Sequence, residues 1–416
     1  MRCIVAIIPP HRLLLVGVAL HLGLAVASVA AQPVRSRVEV ATLSANAMRA
    51  YRTWEAYLIS KDGKLSAAAG KPSVYWSAAE QRQWPTYDLA GFYLRDDAVP
   101  EILAIDPVNT QGDRVFRITT AFRVNAPPPA TWWTDMTVTV FVSREEGAWR
   151  LSNALPRNTK SWHRDTVGPI TYVYAPGYPY NRLRALRAVA FTDSLATAFG
   201  VPPLAPLTYY LLRDVDEVYR VMGLESRIKF GATGGAAQPV NRQLFSGIPA
   251  LGEEYRHELA HLILAPLLSP DTWYFASEGV PTWIGGTAGV DFPTAARALA
   301  ATLAARPMLS LDSILSRSYP SPISYPAGAV LTAMIFERGG TPAVKEWLRA
   351  GPTLADLHRI VARLLQRPWP EIVREWRVRV MRYAEVSIEP SLRRAATPVA
   401  ASAPLPLAPS TSAHQA

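Results

Sequence analysis

The first strong pattern in the chain is helical. Leu43, Ala47, Tyr51, Trp54 and Leu58 are spaced three or four residues apart, and residues at these spacings lie on one face of an α-helix. A helix with such an apolar face needs a partner to cover it. The pattern therefore predicts an amphipathic helix that packs against a second element of the same domain.

The segments after this helix alternate apolar and polar side chains, which is the period of two expected of β-strands. Residues 115–124 and 136–142 both follow it, with apolar Phe116, Ile118, Phe122, Val124, Met136, Val138, Val140 and Val142. A helix followed by long antiparallel strands predicts an α+β domain over residues 37–155, with one curved antiparallel sheet covering the helix. This order resembles the nuclear-transport-factor-two-like cone fold.

A second domain is expected after a polar linker over residues 156–168, which is followed by a change of pattern. Ile170–Tyr174 and Leu207–Leu212 have the composition of buried strands, with a helix between them. From Glu253 onward the pattern is almost entirely helical. Residues 169–388 are therefore predicted to combine a small mixed sheet with a mostly helical C-terminal half, again α+β.

Both ends of the chain differ in composition from a folded domain. Residues 1–31 hold an apolar stretch from Leu13 to Ala27, preceded by two arginines and followed by small residues, which is typical of a signal peptide. An uncleaved membrane anchor is the alternative, although no second stretch reaches the roughly 18 apolar residues of a membrane span. Residues 389–416 are rich in Ala, Pro and Ser, which predicts a disordered tail.

Cysteine content and charge narrow the location and the partners. The only cysteine is Cys3, inside the predicted signal peptide, so we expect the exported protein to have neither disulfides nor a thiol nucleophile. This combination favours a bacterial periplasm or the cell exterior. The formal net charge is +10, but export and the scattered arginines argue against nucleic acid as a partner. No stable membrane insertion is expected after signal cleavage.

One segment carries the candidate chemistry: His257-Glu258-Leu259-Ala260-His261. On a helix, His257 and His261 project from the same face one turn apart, so their imidazoles can hold one metal ion. Glu258 lies about 100° around the helix, beside such an ion, where a general base belongs. The alternative, two histidines on an ordinary helix, would bury polar groups at a cost. The segment predicts a single-zinc site.

A catalytic zinc needs a third protein ligand and one open position. The metzincin pattern is excluded because Leu264 and Leu267 stand at its glycine and histidine positions. Asp271 and Glu278 both remain as carboxylate candidates. We prefer Glu278 because it follows His261 by 17 residues, which leaves room for a short loop and a second helix lying across the first.

At these residues the chain resembles the gluzincins, zinc peptidases in which H-E-x-x-H is followed by a ligand glutamate on the next helix. The resemblance implies that His257, His261 and Glu278 are the zinc ligands. It implies that Glu258 is the general base. It also implies that Tyr325, in a Tyr-x-x-Gly setting at the start of a long apolar helix, donates to the oxyanion that forms.

The resemblance extends to one more segment and has two departures. Residues 241–247 are similar to the edge strand that lines the cleft in these enzymes and pairs with an extended substrate. The aminopeptidase Gly-x-Met-Glu-Asn motif, which holds the free amine of a substrate, is absent. Thr282 stands where thermolysin-like enzymes place an aspartate that supports a histidine, and Glu253 or Glu254 is the alternative support.

These features predict an exported zinc metallopeptidase that acts on a peptide or protein. A water that the zinc activates would attack the peptide bond, with Glu258 taking its proton. The alternative is a catalytically inactive gluzincin-like binding protein of the cell envelope, with the N-terminal domain as its ligand or partner module. Metal content separates the two hypotheses, because only the first requires a bound ion.

Overall fold

The computed structural model describes residues 34–385, except 62–64, 66–73, 84–93, 95, 109–113, 126–131, 227–233, 240, 270–271, 319–320 and 352. The predicted signal peptide, the predicted tail over residues 389–416 and Asp271 all lie outside the described residues. Within them, the fold is α+β as the sequence predicts, with two mixed sheets and a mostly helical C-terminal half. None of the helices in the described ranges has both the length and the apolar character that a membrane crossing requires.

Strands and helices are numbered here in chain order. The strands are β1 (Arg35–Ser36), β2 (Val99–Pro107), β3 (Val115–Asn125), β4 (Trp132–Glu145), β5 (Ala148–Asn153), β6 (His163–Val167), β7 (Ile170–Tyr174), β8 (Leu207–Leu211), β9 (Leu224–Ser226), β10 (Gly235–Gln238) and β11 (Gln243–Ser246). The helices are α1 (Ala45–Ser60), α2 (Ala78–Gln83), α3 (Ala154–Asn158), α4 (Arg182–Phe199), α5 (Val215–Val221), α6 (Arg256–Leu264), α7 (Tyr274–Gly285), α8 (Phe292–Ala305), α9 (Leu311–Ser313), α10 (Ser321–Trp347), α11 (Leu354–Leu365) and α12 (Trp369–Glu385).

The first sheet has the order β1-β2-β3-β4-β5, and its pairs are antiparallel except for the short parallel edge pair of β1 with β2. Helix α1 covers it with the predicted apolar face. Ser44 caps α1 by accepting from the backbone N–H of Ala47. Trp54 is fully buried and donates from Nε1 to the hydroxyl of Thr120 on β3 at 2.8 Å. The helix is thus fixed to the sheet by burial and by one internal hydrogen bond.

Glu80 carries a carboxylate that is buried in this region. Glu80 on α2 is 5% exposed and accepts two hydrogen bonds of 2.8 Å from Asn153, one from its backbone N–H and one from Nδ2. Burial raises the pKa of Glu80 to about 7, and the two bonds from Asn153 oppose the rise. The Oδ1 atom of Asn153 is buried without a hydrogen-bond partner among the described residues.

The second sheet has the order β10-β11-β8-β7-β6, with parallel pairs in the middle and an antiparallel pair at each edge. Residues 156–168, predicted as a linker, differ from that expectation. They contain the end of α3 and all of β6, which pairs with β7. The polar composition that suggested a linker belongs to an edge strand, since His163 and Arg164 on β6 are exposed.

The two regions also share a core. Strand β9 pairs with β4 of the first sheet, and Val215, Tyr219 and Leu224 pack among the residues that bury α1. The core of the first sheet thus draws on residues beyond the predicted boundary at residue 155. Pairing between segments so distant in sequence leaves no local pattern from which it can be read.

The C-terminal helices form one apolar cluster around α7 and α10. Helix α10 bends at Gly340, within a Gly-Gly-Thr-Pro segment in which the glycines favour the end of one helix and Thr-Pro favours the start of the next. Trp347 on α10 and Trp376 on α12 are fully buried, and Trp376 donates from Nε1 to the carbonyl of Ala327 at 3.1 Å. This packing fixes the start of α10 against the helices that carry the site described next.

Candidate metal centre

Helix α6 presents the two histidines as its sequence predicts. Leu259, Ile263 and Leu264 are buried in the cores on either side of the helix, which fixes its rotation. His257 and His261 therefore face the same direction one turn apart, with ring centroids 4.8 Å apart. Their Nε2 atoms are 3.1 Å apart. The two imidazoles converge on one point.

Glu278 reaches the same point from α7. Its Oε2 lies 3.5 Å from Nε2 of His257 and 3.6 Å from Nε2 of His261. These distances are too long for hydrogen bonds, and neither carboxylate oxygen has a hydrogen-bond partner among the described residues. All three side chains are at most 3% exposed. His257, His261 and Glu278 thus form a buried cluster that can hold a metal ion.

The electrostatics of Glu278 agree with this placement. Burial by itself would raise the pKa of its carboxyl group, because a charged group is less stable away from water. The facing imidazoles, with His261 first, outweigh that effect and lower the pKa to about 2. Glu278 is therefore held as a carboxylate, which is the form that binds a metal ion.

Two glycines bring α7 close to α10. A Cβ atom on Gly279 would lie 2.6 Å from the carbonyl carbon of Gly328 and 2.9 Å from its Cα. A Cβ atom on Gly328 would lie 2.7 Å from the carbonyl oxygen of Phe275. Both positions thus require a residue without a side chain. This contact gives a physical reason for the glycine that follows Glu278 and for the glycine three residues after Tyr325.

His257 is oriented by a backbone carbonyl that the sequence did not point to. Its Nδ1 lies 2.7 Å from the carbonyl oxygen of Gly286, just after α7. A carbonyl only accepts, so Nδ1 carries the hydrogen, and in the neutral imidazole Nε2 keeps its lone pair toward the cluster. Gly286 has a φ of 74°, and a Cβ atom there would lie 2.1 Å from the carbonyl oxygen of Val290.

Thr282, Glu253 and Glu254, the sequence candidates for supporting a histidine, form no hydrogen bond to His257 among the described residues. Glu253 accepts from the backbone N–H of Asn181 at 2.7 Å, and Glu254 pairs with Arg187 and Arg256. The hydroxyl of Thr282 is buried without a hydrogen-bond partner among the described residues. Support for His257 therefore comes from the chain turn after α7 rather than from a carboxylate.

Glu258 lies beside the cluster and is fully buried. Neither of its carboxylate oxygens has a hydrogen-bond partner among the described residues. Burial raises the pKa of Glu258 to about 7, and the negative charge of Glu278 acts in the same direction. His257 and the backbone amide of Ala237 on β10 act against the rise, the amide without forming a hydrogen bond of normal geometry.

Tyr325 is placed at the cluster from the first turns of α10. Its side chain is 1% exposed, and its ring lies parallel to that of His257, with 6.0 Å between centroids and an angle of 7°. Its hydroxyl accepts a hydrogen bond from the hydroxyl of Tyr274 at 3.0 Å. The sequence pattern did not single out Tyr274, because its position at the start of α7 becomes informative only once α7 and α10 are packed together.

The predicted edge strand is wrong in its position. Residues 241–247 were expected at the edge, but β11 lies between β10 and β8, with all four of its residues buried. The strand at that edge of the sheet is β10, which packs beside α6. Its Gly-Ala-Ala-Gln sequence has little of the β-branched character that marks a strand, so the side-chain pattern does not reveal it.

Comparisons with known proteins add little to this geometry. No family model matches the sequence, and no curated protein matches it. Among solved structures, the chain is similar to the aminopeptidase A of Legionella pneumophila in complex with aspartic acid, with a TM-score of 0.30 and 11% sequence identity. The match covers 67% of this chain and 34% of that chain, so this chain spans about a third of its length.

Proposed function

We propose that this chain is a zinc metallopeptidase of the gluzincin type that hydrolyses peptide bonds. The observation that carries the proposal is the convergence of His257, His261 and Glu278 on one buried point, with Glu258 beside it. Two imidazoles and one carboxylate are a ligand set found in catalytic zinc sites, where the fourth position is left for water or substrate.

The spacing of the three donor atoms fits a zinc ion. Zinc binds imidazole nitrogen and carboxylate oxygen at roughly 2.0–2.2 Å, so in a tetrahedral site the ligand atoms lie about 3.3–3.5 Å from one another. The corresponding distances here are 3.1, 3.5 and 3.6 Å. Oε2 of Glu278, which lacks a hydrogen-bond partner among the described residues, would coordinate the ion. We therefore assign these three residues as the zinc ligands.

Glu258 is the general base in this proposal. When bound, a zinc ion would lower the pKa of water and polarise a carbonyl group. Glu258 would accept the proton of the attacking water and then deliver it to the leaving amine. Its two carboxylate oxygens are not engaged by other described residues, so they are available for this transfer.

Tyr325 supplies the hydrogen bond to the oxyanion. The proposal is supported by the position of its ring, which lies parallel to that of His257 with 6.0 Å between the centroids. Charge that develops on the carbonyl oxygen is stabilised by a donor that is already in position. The substrate is a peptide or protein, and the predicted signal peptide leads us to propose that the enzyme acts after export, in a bacterial periplasm or outside the cell.

The test is the substitution Glu258→Gln, with zinc content and cleavage of casein as readouts. Gln keeps the shape of the side chain but accepts no proton, so we expect about one zinc per chain and cleavage reduced at least about a hundredfold. Glu253→Gln is the matched control, because Glu253 is equally buried but points to Asn181. It should keep both zinc and cleavage.

Two outcomes would contradict the proposal. If Glu258→Gln retains both zinc and cleavage, the base has been assigned wrongly. If the unchanged protein, purified without chelators, holds much less than one zinc per chain, the function is that of a binding protein instead. His261→Ala completes the set, since it should lose zinc and cleavage together.

A further inference from the structure

Two tyrosine hydroxyls from different helices form a hydrogen bond near the cluster of His257, His261 and Glu278. Tyr274 is the first residue of α7, and Glu278 lies one turn after it on the same face of that helix. The hydroxyl of Tyr274 donates to that of Tyr325 on α10 at 3.0 Å, and the two ring centroids are 5.8 Å apart at an angle of 60°. One face of α7 thus carries both a cluster residue and a partner for Tyr325.

The direction of this bond matters for what Tyr325 can do. A phenol has one hydrogen to donate and an oxygen that accepts. Because the oxygen of Tyr325 accepts from Tyr274, its own hydrogen is directed to a different acceptor. Hydrogen bonds in a chain also polarise one another, so a phenol that accepts one becomes a stronger donor of the next.

The position of Tyr274 is fixed by the same close contact that joins the two helices. The ring of Tyr274 packs edge-on against Phe275, with centroids 5.7 Å apart. The carbonyl oxygen of Phe275 is the group that a Cβ atom on Gly328 would meet at 2.7 Å. Gly328 lies three residues after Tyr325 on α10. The start of α7 therefore cannot move relative to Tyr325 without breaking this contact.

We propose that Tyr274 is a positioning residue that orients the Tyr325 hydroxyl and strengthens it as a hydrogen-bond donor to the oxyanion. The part of this inference that concerns the reaction rests on the proposed function. The part that concerns the orientation of Tyr325 does not. Tyr274 acts through Tyr325 and contacts neither substrate nor metal in this role.

The kinetic test is a double-mutant cycle with Tyr274→Phe and Tyr325→Phe on a fluorogenic peptide that the zinc-loaded protein cleaves. Alone, Tyr274→Phe should lower kcat about tenfold, as expected for the loss of one oriented hydrogen bond, and leave KM unchanged. In the Tyr325→Phe background it should have no further effect, because the hydroxyl it positions is gone. Tyr180→Phe is the control, since Tyr180 donates to Asp165 away from the cluster.

A second readout uses the metal-free protein. 3-Fluorotyrosine is placed at position 325, and its 19F resonance is recorded at fixed pH with and without Tyr274→Phe. The resonance should shift when the hydroxyl of Tyr274 is removed and stay unchanged with Tyr180→Phe. This readout needs no enzymatic activity, so it remains decisive if the protein cleaves no peptide and the proposed function falls.

Three results would overturn the inference. The first is an equal loss of kcat from Tyr274→Phe in both backgrounds, which would mean a general effect on the fold. The second is a loss that appears in KM alone, which would place Tyr274 in substrate binding. The third is an unchanged 19F resonance at position 325.

Discussion

The contact between Gly279 and Gly328 makes a sharp prediction about the metal centre. In Gly279→Ala the new Cβ atom would lie 2.6 Å from the carbonyl carbon of Gly328. Non-bonded carbon atoms prefer about 3.5–4.0 Å, so α7 and α10 have to separate by roughly 1 Å. Overpacking of this kind costs about 1–3 kcal/mol of stability. Glu278 precedes Gly279, so it moves with the backbone of α7.

The consequence for metal binding follows from the ligand geometry. A zinc site tolerates deviations of about 0.2 Å in its ligand distances, and a displacement of roughly 1 Å exceeds that several times. Gly279→Ala should therefore weaken zinc binding by at least about tenfold, by analogy with the loss of an outer-shell partner. Competition with a chromophoric chelator measures the affinity, and denaturation of the metal-free protein measures the stability.

Gly147→Ala is the matched control for this experiment. Gly147 lies in the turn between β4 and β5 with a φ of 85°, and a Cβ atom there would meet nothing within 4 Å. Alanine in that conformation costs about 1–3 kcal/mol through backbone strain alone. It should lower stability by a comparable amount and leave zinc affinity unchanged. Equal zinc affinities in the two variants would refute the reasoning, because the glycine contact would then have no influence on the cluster.

Three further predictions follow from other contacts. Gly286→Ala should lower zinc affinity about 10–100-fold in the same competition assay, because the new methyl group displaces the carbonyl that orients His257. An unchanged affinity would mean that this carbonyl does not contribute to zinc binding. Burial raises the pKa of Glu80 from 4.5 to about 7 in the folded protein. Between these two pH values the folded protein keeps the proton of Glu80 and the unfolded chain loses it. The free energy of unfolding should therefore fall by about 3 kcal/mol as the pH rises from 4.5 to about 7. In Glu80→Gln, whose amide can donate to Oδ1 of Asn153, the free energy of unfolding measured by urea denaturation should change less with pH. An unchanged pH dependence would mean that another group is responsible for it. Removing zinc with a chelator should lower Tm, and a Tm that is insensitive to the chelator would contradict a metal-loaded native state.

Side-chain patterns alone carried much of the fold and most of the candidate cluster. The period of α1, the alternation in β3 and β4, and the spacing from His261 to Glu278 all reflect local geometry, which a sequence displays directly. The structure brings His257, His261 and Glu278 together as that spacing requires. Their roles as zinc ligands, and those of Glu258 and Tyr325 in the reaction, stay predictions.

The features that the sequence did not reveal have two physical causes. The carbonyl of Gly286 is a backbone group, and any residue type could have supplied it, so no side chain marks it. Tyr274 bonds to Tyr325, and β9 pairs with β4, which are both far away in the chain. Such pairings form only through tertiary packing. Strand β10 was missed because alanine and glycine carry little strand signal.

The cluster residues lie close together in the sequence, and this affects how metal and folding are coupled. All three donors fall between His257 and Glu278, on two consecutive helices joined by a short connection. The loop that closes when they meet is therefore small, and the unfolded chain keeps the donors at a high effective concentration. Metal can then also bind the unfolded chain, more weakly than the folded site, so removing it should lower Tm by less than the affinity of the folded site alone would give. In return, the site needs no contact distant in sequence to begin forming, so an ion can be captured early in folding.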